Sequence, residues 1–243
     1  MQVVLSSSPV AIRSPYGGQV KFDWPTKEIV VIGGTGVLGA EIARQMRRAG
    51  ATVGIVARTP QNLPDDLRDL TCVQADIRQR DSLARALATL GDEFDGLVNA
   101  AGVVAFGSLG EVPADVVAEL FDVNAIGTMN TLALGADVVR EGGFVVSLSG
   151  AAADVAVLNM SAYCASKSAA RAAMAVASRE LRRRKIVVLD VRAPHTETGL
   201  MTRARWGAAP KMPAGLAPSF VAARIVAALA SAESDLPSDA FTS

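Results

Sequence analysis

The chain has few residues of the kinds that build metal centres or disulfide frameworks. Its 243 residues include two cysteines, Cys72 and Cys164, and a single histidine, His195. The cysteines lack the paired spacing of a zinc or redox motif, so no metal site and no disulfide framework is expected. We interpret Cys164 as a small apolar core residue rather than a redox group.

The sequence also lacks an excess of charge and any long apolar run. Lys plus Arg balance Asp plus Glu at 24 each, which does not favour nucleic acid or an anionic membrane as a partner. No apolar run approaches the roughly 18 residues needed to cross a bilayer. The first nine residues do not have the organisation of a secretory signal. We therefore expect a cytoplasmic protein with a small-molecule ligand and neither a nucleic-acid nor a membrane partner.

What is abundant is an alternation of β-branched runs with stretches of helical period. From Glu28 onward this pattern indicates βαβ units in a doubly wound parallel α/β sheet. The predicted strands are Ile29–Ile32, Thr52–Val56, Thr71–Gln74, Gly96–Val98, Phe144–Leu148 and Ile186–Val191, with a short seventh near Ala240. Residues 28–243 are predicted to form one domain. Residues 1–27, rich in Ser, Pro and Gly, are predicted to be an N-terminal arm or an added hairpin.

Two helices matter for the site. In the first, Val37, Leu38, Ile42 and Met46 share one face, and Gly50 ends the helix. The second is expected over Ser161–Arg184.

A glycine-rich turn joins the first predicted strand to the first helix. Glycines there permit a tight turn and close backbone approach to a pyrophosphate, whose charge meets the free N–H groups of the helix start. This context predicts a dinucleotide-binding Rossmann fold. The predicted cofactor contacts in this turn are Gly33, Thr35, Gly36, Val37, Leu38 and Gly39.

The end of the second strand suggests which dinucleotide is bound. An acid at this point would hydrogen-bond the 2′-hydroxyl of NAD, but the sequence reads Val56-Ala57-Arg58-Thr59. Arg58 can pair with a 2′-phosphate. NADP(H) is therefore the expected cofactor and NAD(H) a possible one, although Arg58 as a solvated residue at a strand exit is the alternative.

Several motifs in sequence order resemble those of the short-chain dehydrogenases/reductases, from about Glu28 to about Phe241. They are Asp76-Ile77, Asn99-Ala100-Ala101-Gly102, Asn124, Ser149, Tyr163-x-x-x-Lys167 and the segment Pro194 to Thr198. The resemblance implies a catalytic set of Asn124, Ser149, Tyr163 and Lys167. It also implies cofactor contacts from Asp76, Ile77, Asn99, Ala100, Gly102, Tyr163, Lys167, Pro194, Thr196 and Thr198. A homodimer or homotetramer is expected on the same grounds, with small residues on the Tyr163 helix permitting close packing.

The sequence departs from the family pattern at three places. Val37 stands where the single-domain branch has glycine, so the glycine spacing resembles that of the extended branch. His195 replaces the glycine after Pro194, and Thr198 comes one residue early. Ser149 lies fourteen residues before Tyr163, whereas the family spacing is thirteen, which would place Gly150 at the serine position. Two alignments of this loop are therefore possible. In the one that we favour, Ser149 faces the substrate; in the other, Gly150 occupies the position of the family's serine.

The chemistry implied is interconversion of a carbonyl and an alcohol. Tyr163 and Lys167 are four apart in a predicted helix and so share a face. A lysine cation nearby lowers the pKa of a phenol, which lets Tyr163 act as general acid or base. Ser149 would hold the substrate oxygen, and Asn124 would anchor a water, as the resemblance implies.

Two other functions remain open. A non-catalytic NAD(P)-binding sensor or scaffold is favoured by the departures at Val37, Ser149 and His195. An epimerase or dehydratase of the extended branch is suggested by the glycine spacing, although the chain has little room for a substrate domain of that branch. The substrate itself is not specified. The irregular segment between Thr198 and Ala217 contains Leu200, Met201, Trp206, Met212 and Leu216, which predicts a largely apolar pocket.

Overall fold

A computed structural model describes residues 23–241 as a single seven-stranded parallel sheet covered by helices on both faces. The strands are β1 (Glu28–Ile32), β2 (Thr52–Ala57), β3 (Cys72–Gln74), β4 (Phe94–Asn99), β5 (Val139–Leu148), β6 (Val187–Val191) and β7 (Asp235–Leu236). Their order is β3-β2-β1-β4-β5-β6-β7. The strand order reverses direction between β1 and β4, and in open parallel sheets ligands bind at such a switch point.

Six α-helices cover the sheet over the described residues. They are α1 (Val37–Arg48), α2 (Arg80–Leu90), α3 (Ala114–Phe121), α4 (Gly127–Val138), α5 (Ser161–Glu180) and α6 (Pro218–Ala230). Helices α1 and α6 pack on one face of the sheet around Ile29 and Val31. Helices α2, α4 and α5 cover the other face around Val30 and Ile32. Alternate residues of β1 are thus buried on opposite faces, which is why this strand is apolar throughout.

The predicted doubly wound fold and its first six strands are confirmed. The seventh strand was misplaced, because Asp235–Leu236 pairs with β6 and the residues near Ala240 form a 3₁₀ turn, Ser238–Phe241. The long helix ends at Glu180 and tightens into a 3₁₀ turn over Leu181–Arg184. Val37 does not face the core as predicted but is 45% exposed.

Residues 1–22, most of the predicted arm, lie outside the described part of the chain. Within residues 23–241, no helix is long and apolar enough to cross a membrane. The carboxyl ends of β1, β4, β5 and β6 meet along one edge of the sheet, where the candidate residues lie.

Candidate active site

The glycine-rich turn after β1 is packed so closely that side chains would not fit. Gly33 has a φ of +82°, and a Cβ on it would lie 2.7 Å from the backbone nitrogen of Ala101. A Cβ on Gly39 would collide with the carbonyl oxygen of Gly33. The first glycine therefore permits the turn and the last one permits α1 to approach it, as dinucleotide sites require.

Helix α1 begins immediately after this turn without a side-chain cap. Gly36 is its N-cap residue, and no side chain accepts a hydrogen bond from the first turn. The free N–H groups and the positive end of the helix dipole suit a phosphate group. Thr35, Val37 and Leu38 flank this point. The structure thus brings the predicted phosphate-contacting residues together around a cradle that a Cβ would fill.

Arg58 follows the end of β2, as predicted, and is exposed. Its guanidinium forms no ion pair with any residue in the described range 23–241. Asp76, the acid after β3, forms its ion pair with Arg78 instead. Arg78 donates to both carboxylate oxygens of Asp76 at 2.6–3.0 Å. This hydrogen bonding lowers the pKa of Asp76. Sequence reasoning missed Arg78, although its position two residues after Asp76 made a local pair possible.

The side chain of Asn99, which is almost fully buried, holds the turn after β4 by hydrogen bonds. Its Nδ2 donates to Thr128 Oγ1 at 3.2 Å and to Ser147 Oγ at 3.1 Å, while its Oδ1 accepts from the Ala101 N–H at 3.1 Å. Ile77, also buried, packs against Gly127 of α4.

Gly102 in the same turn lies between two catalytic candidates. A Cβ built there would be 3.4 Å from Asn124 Oδ1 and 3.4 Å from Lys167 Nζ. Asn124 and Lys167 are therefore neighbours, and a side chain at position 102 would press on both. The resemblance predicted Gly102 only as a cofactor contact, and the structure adds this steric reason for glycine.

Asn124 lies in a π-helical turn, Asp122–Ile126, inserted between α3 and α4. The Gly127 N–H donates to the carbonyl of Asp122, five residues earlier. The Asn124 side chain accepts from the Val103 N–H at 3.0 Å and donates to the Val103 carbonyl at 2.9 Å and to Ser166 Oγ at 3.0 Å. The amide thus links the turn after β4 to α5. Such π turns are frequent at functional sites.

Tyr163 and Lys167 lie one turn apart on α5, as their spacing predicted. Lys167 Nζ lies 5.9 Å from the centroid of the Tyr163 ring and donates to the Leu148 carbonyl at 2.8 Å. Burial raises the pKa of Tyr163 to about 12, which is opposite to the lowering by Lys167 expected from the sequence. Burial also lowers the pKa of Lys167 to about 8, an effect that the carboxylate of Asp190 opposes. Lys167 is thus buried and Tyr163 partly buried beside the end of β5.

Ser149 is not among the groups that the structure brings to Tyr163. The residue is fully buried, and its hydroxyl donates to Asp190 Oδ1. The next residue, Gly150, has a φ of +76°, and a Cβ on it would meet only the Ala193 carbonyl, at 4.0 Å. The Ser149 hydroxyl is therefore engaged by Asp190 in this structure, and the choice between the two alignments of the loop stays a prediction.

The segment Pro194 to Thr198 forms the near end of the irregular loop. Thr196 Oγ1 donates to the Pro194 carbonyl at 2.9 Å, and Thr198 Oγ1 accepts from the Leu200 N–H at 3.3 Å. Residue 196 pairs with Leu216, so the two ends of the loop are held together. His195 Nε2 lies 3.4 Å from Glu197 Oε1 within this pairing.

An apolar wall borders Tyr163. It consists of the buried residues Val104, Phe106 and Met160 with Tyr163, Cys164, Leu200, Met201 and Ala204 packed on them. The loop is fastened to this wall by hydrogen bonds between Arg205 and Val104 and between Phe106 and Trp206. Cys164 belongs to the wall, as expected of an apolar residue. Of the predicted pocket residues, Trp206 and Met212 are exposed and Leu216 packs on the main core.

The sheet order, the glycine cradle and the Tyr-Lys pair together define a Rossmann-type dinucleotide-binding fold with a Tyr-x-x-x-Lys pair at its carboxyl edge. The model of the short chain dehydrogenase family matches residues 27–207. The chain therefore belongs to the short-chain dehydrogenase family.

Individual relatives are distant. The rat protein "Dehydrogenase/reductase SDR family member 7B" is 28% identical over 194 residues, which span 72% of this chain and 60% of the relative. A short chain dehydrogenase from Burkholderia cenocepacia, solved in complex with NADP, superposes with a TM-score of 0.76 at 23% identity and covers 87% of each chain. The structure of BdcA in complex with NADPH gives 0.76 at 25% identity, over 88% of this chain and 92% of that one.

Proposed function

We propose that the protein interconverts a carbonyl compound and an alcohol with NADP(H), using Tyr163 as general acid and base. The observation that carries this proposal is the position of Tyr163 and Lys167 on one face of α5, where Lys167 lies next to Asn124 and to Gly102 of the turn that packs on Gly33. A proton donor and a dinucleotide cradle at the same edge of the sheet are what such a reaction needs.

The residues present fit the cofactor. The cradle of Gly33, Gly36 and Gly39 and the uncapped start of α1 suit the pyrophosphate, and Arg58 offers an unpaired cation for a 2′-phosphate. Both solved structures named above that carry a cofactor hold NADP or NADPH. When bound, this cofactor supplies or accepts the hydride.

The chain's own residues would move the proton. In reduction, Tyr163 donates its phenolic proton to the substrate oxygen; in oxidation, it accepts the proton. Lys167, held by the Leu148 carbonyl, stabilises the phenolate by its charge. Asn124 fixes the π turn against α5 and so places Lys167 and Gly102 relative to one another. Ser149 takes no part, because its hydroxyl is engaged by Asp190.

The substrate would be largely apolar. The wall beside Tyr163 is built on the buried Phe106 and Met160, with Leu200 and Met201 partly buried against them. A hydrophobic wall with one proton donor suits a ketone or secondary alcohol with an extended hydrocarbon portion.

A non-catalytic role is the second candidate. The observation that favours it is Gly150, which leaves the substrate oxygen without the hydroxyl that the resemblance places there. Such a protein would bind the dinucleotide and respond to it without turnover.

One assay separates the two. Purified protein is mixed with NADPH and a panel of ketones, or with NADP and the matching alcohols, while the absorbance of the reduced cofactor is followed. We expect turnover that rises with the apolar length of the substrate. Tight binding of NADPH with no turnover on the entire panel would contradict the proposal and favour the sensor.

A further inference from the structure

A cluster of paired charges, two of them buried and three partly exposed, lies beside the carboxyl ends of β5 and β6. It consists of Asp154, Arg171, Asp190, Arg192 and Asp235, contributed by the turn after β5, by α5, and by β6 and β7 with the residues that follow β6. We call these five side chains the ionic cluster. None of the motifs that define the family resemblance includes them.

The contacts of the ionic cluster are close. Arg192 Nη1 donates to Asp190 Oδ2 at 2.9 Å and to Asp235 Oδ1 at 2.5 Å, and Arg192 Nε lies 2.5 Å from Asp154 Oδ2 as an ion-pair contact without hydrogen-bond alignment. Arg171 Nη1 lies 2.6 Å from Asp154 Oδ1, and Arg171 Nε lies 3.9 Å from Asp190 Oδ2. Asp190 and Arg192 are both almost fully buried. Buried charges persist only when they are paired.

The charges of the ionic cluster do not balance by themselves. Three carboxylates face two guanidinium groups, which leaves one negative charge in excess, and of the five side chains Asp190 and Arg192 are the buried ones. Lys167 is the buried cation nearest to it, and the Asp190 carboxylate is the group that raises the pKa of Lys167 against the effect of burial. From its own helix Tyr163 faces Lys167, and from the other elements Leu148 and Asn124 present uncharged groups.

Asp190 is also tied to Lys167 by a short chain of contacts. Asp190 Oδ1 accepts from the Ser149 hydroxyl, and Ser149 directly follows Leu148, whose carbonyl receives Lys167 Nζ at 2.8 Å. The Asp190 carboxylate thus provides a negative charge for Lys167. It also binds Ser149, the residue that follows the Leu148 carbonyl to which Lys167 donates.

We propose that Asp190 is a positioning residue that keeps Lys167 charged and fixed beneath Tyr163. The proposal rests on the proposed function, because a charged Lys167 matters only if Tyr163 transfers a proton. In this proposal Ser149 has a structural role, because its hydroxyl links Asp190 to the strand end at Leu148.

The test is the titration of Lys167 itself. The chain has only five lysines, so protein labelled with ¹³C at the lysine Cε gives few signals, and Lys167→Arg identifies the relevant one. In Arg171→Gln, a partly exposed cation leaves the ionic cluster, so the midpoint of Lys167 should rise by about half a pH unit or more. Arg179→Gln, which changes an exposed arginine on the same helix, is the control and should leave the midpoint unchanged.

Asp190→Asn tests the opposite direction. It keeps an acceptor for Ser149 but removes the charge, so the midpoint of Lys167 should fall by about one pH unit. Asp235→Asn, farther from Lys167 in the same cluster, should move it less. An unchanged midpoint in Arg171→Gln would overturn the proposal even if Asp190→Asn does not fold.

The titration needs no substrate, so its result is independent of whether the protein turns over. Where turnover is found, the pH profile of kcat/KM in Arg171→Gln should shift in the same direction as the Lys167 midpoint, whereas a purely structural effect would lower the rate at every pH.

Discussion

The two halves of the sheet's carboxyl edge differ in which groups form them: backbone groups in one half and side chains in the other. The half proposed to hold the cofactor, from β1 to β3, consists mainly of backbone groups, namely glycines and a helix N-terminus, with the exposed Arg58 beside them. The half proposed to be catalytic, from β5 to β7, consists of side chains, namely Tyr163, Lys167 and the ionic cluster. A backbone site depends on turn geometry alone, whereas a side-chain site depends on the register of every neighbouring strand.

The substitution Tyr163→Phe should distinguish the two halves most clearly, because it should affect turnover but not cofactor binding. Removal of the phenolic proton should lower kcat/KM by about 10² to 10⁴-fold, the usual contribution of a general acid. Affinity for NADPH, measured by titration, should stay nearly unchanged, because the cradle is not touched. Tyr16→Phe, at the chain's other tyrosine, serves as the matched control. A variant with full activity on a confirmed substrate would show that another group donates the proton.

Arg58→Ala acts on the other half. The loss of a charge-assisted contact should weaken NADPH binding by about 1 to 3 kcal/mol, or roughly 5 to 150-fold, and leave NADH binding unchanged. Calorimetric titration of both cofactors measures the gap between them. Arg85→Ala, at an exposed arginine on α2, should have no effect. Equal affinities for the two cofactors in the unmutated protein would contradict the assignment of NADP(H).

The smallest expected effect on rate is that of Ser149→Ala. Removing one oxyanion donor costs at least about a hundredfold in kcat, but a hydroxyl that faces Asp190 should cost less than tenfold. The loss should appear instead in the free energy of unfolding, as about 1 to 3 kcal/mol from the partly unsatisfied carboxylate. Ser168→Ala, whose hydroxyl donates to the Ala153 carbonyl, is the control. A hundredfold loss of rate with unchanged stability would restore Ser149 to the catalytic set.

The same contrast explains what the sequence could predict. Six strands and the glycine turn were predictable because apolar runs and glycines act locally, and the Tyr163–Lys167 pair because four residues make about one helical turn. The direction of the Ser149 side chain depends on Asp190, which is 41 residues away in sequence. The pairing of Arg78 with Asp76 depended on rotamers, and the two-residue β7 was too short to give a pattern.

The ionic cluster was not predicted for a related reason. Asp190 and Arg192 alternate with apolar residues at the end of a strand, a pattern that normally indicates an exposed edge. In the structure β7 pairs with this strand end, with Asp235 opposite Asp190, and both Asp190 and Arg192 are almost fully buried. Charged residues can become buried when a strand later in the sequence covers them, and the local sequence does not predict this burial.

The π turn at Asn124 has a consequence for how the chain tolerates insertions and deletions. A π turn holds one residue more than an α-helical turn, so deleting a single residue between Asp122 and Ile126 would let α3 and α4 merge into one regular helix. That helix would remain well hydrogen-bonded. The π turn accommodates its extra residue as a local bulge, so the flanking helices would keep their packing after the deletion and the change would fall on the residues of the turn itself. Asn124 could then no longer reach both Val103 and Ser166. We therefore expect this segment to accept substitutions more readily than changes in length.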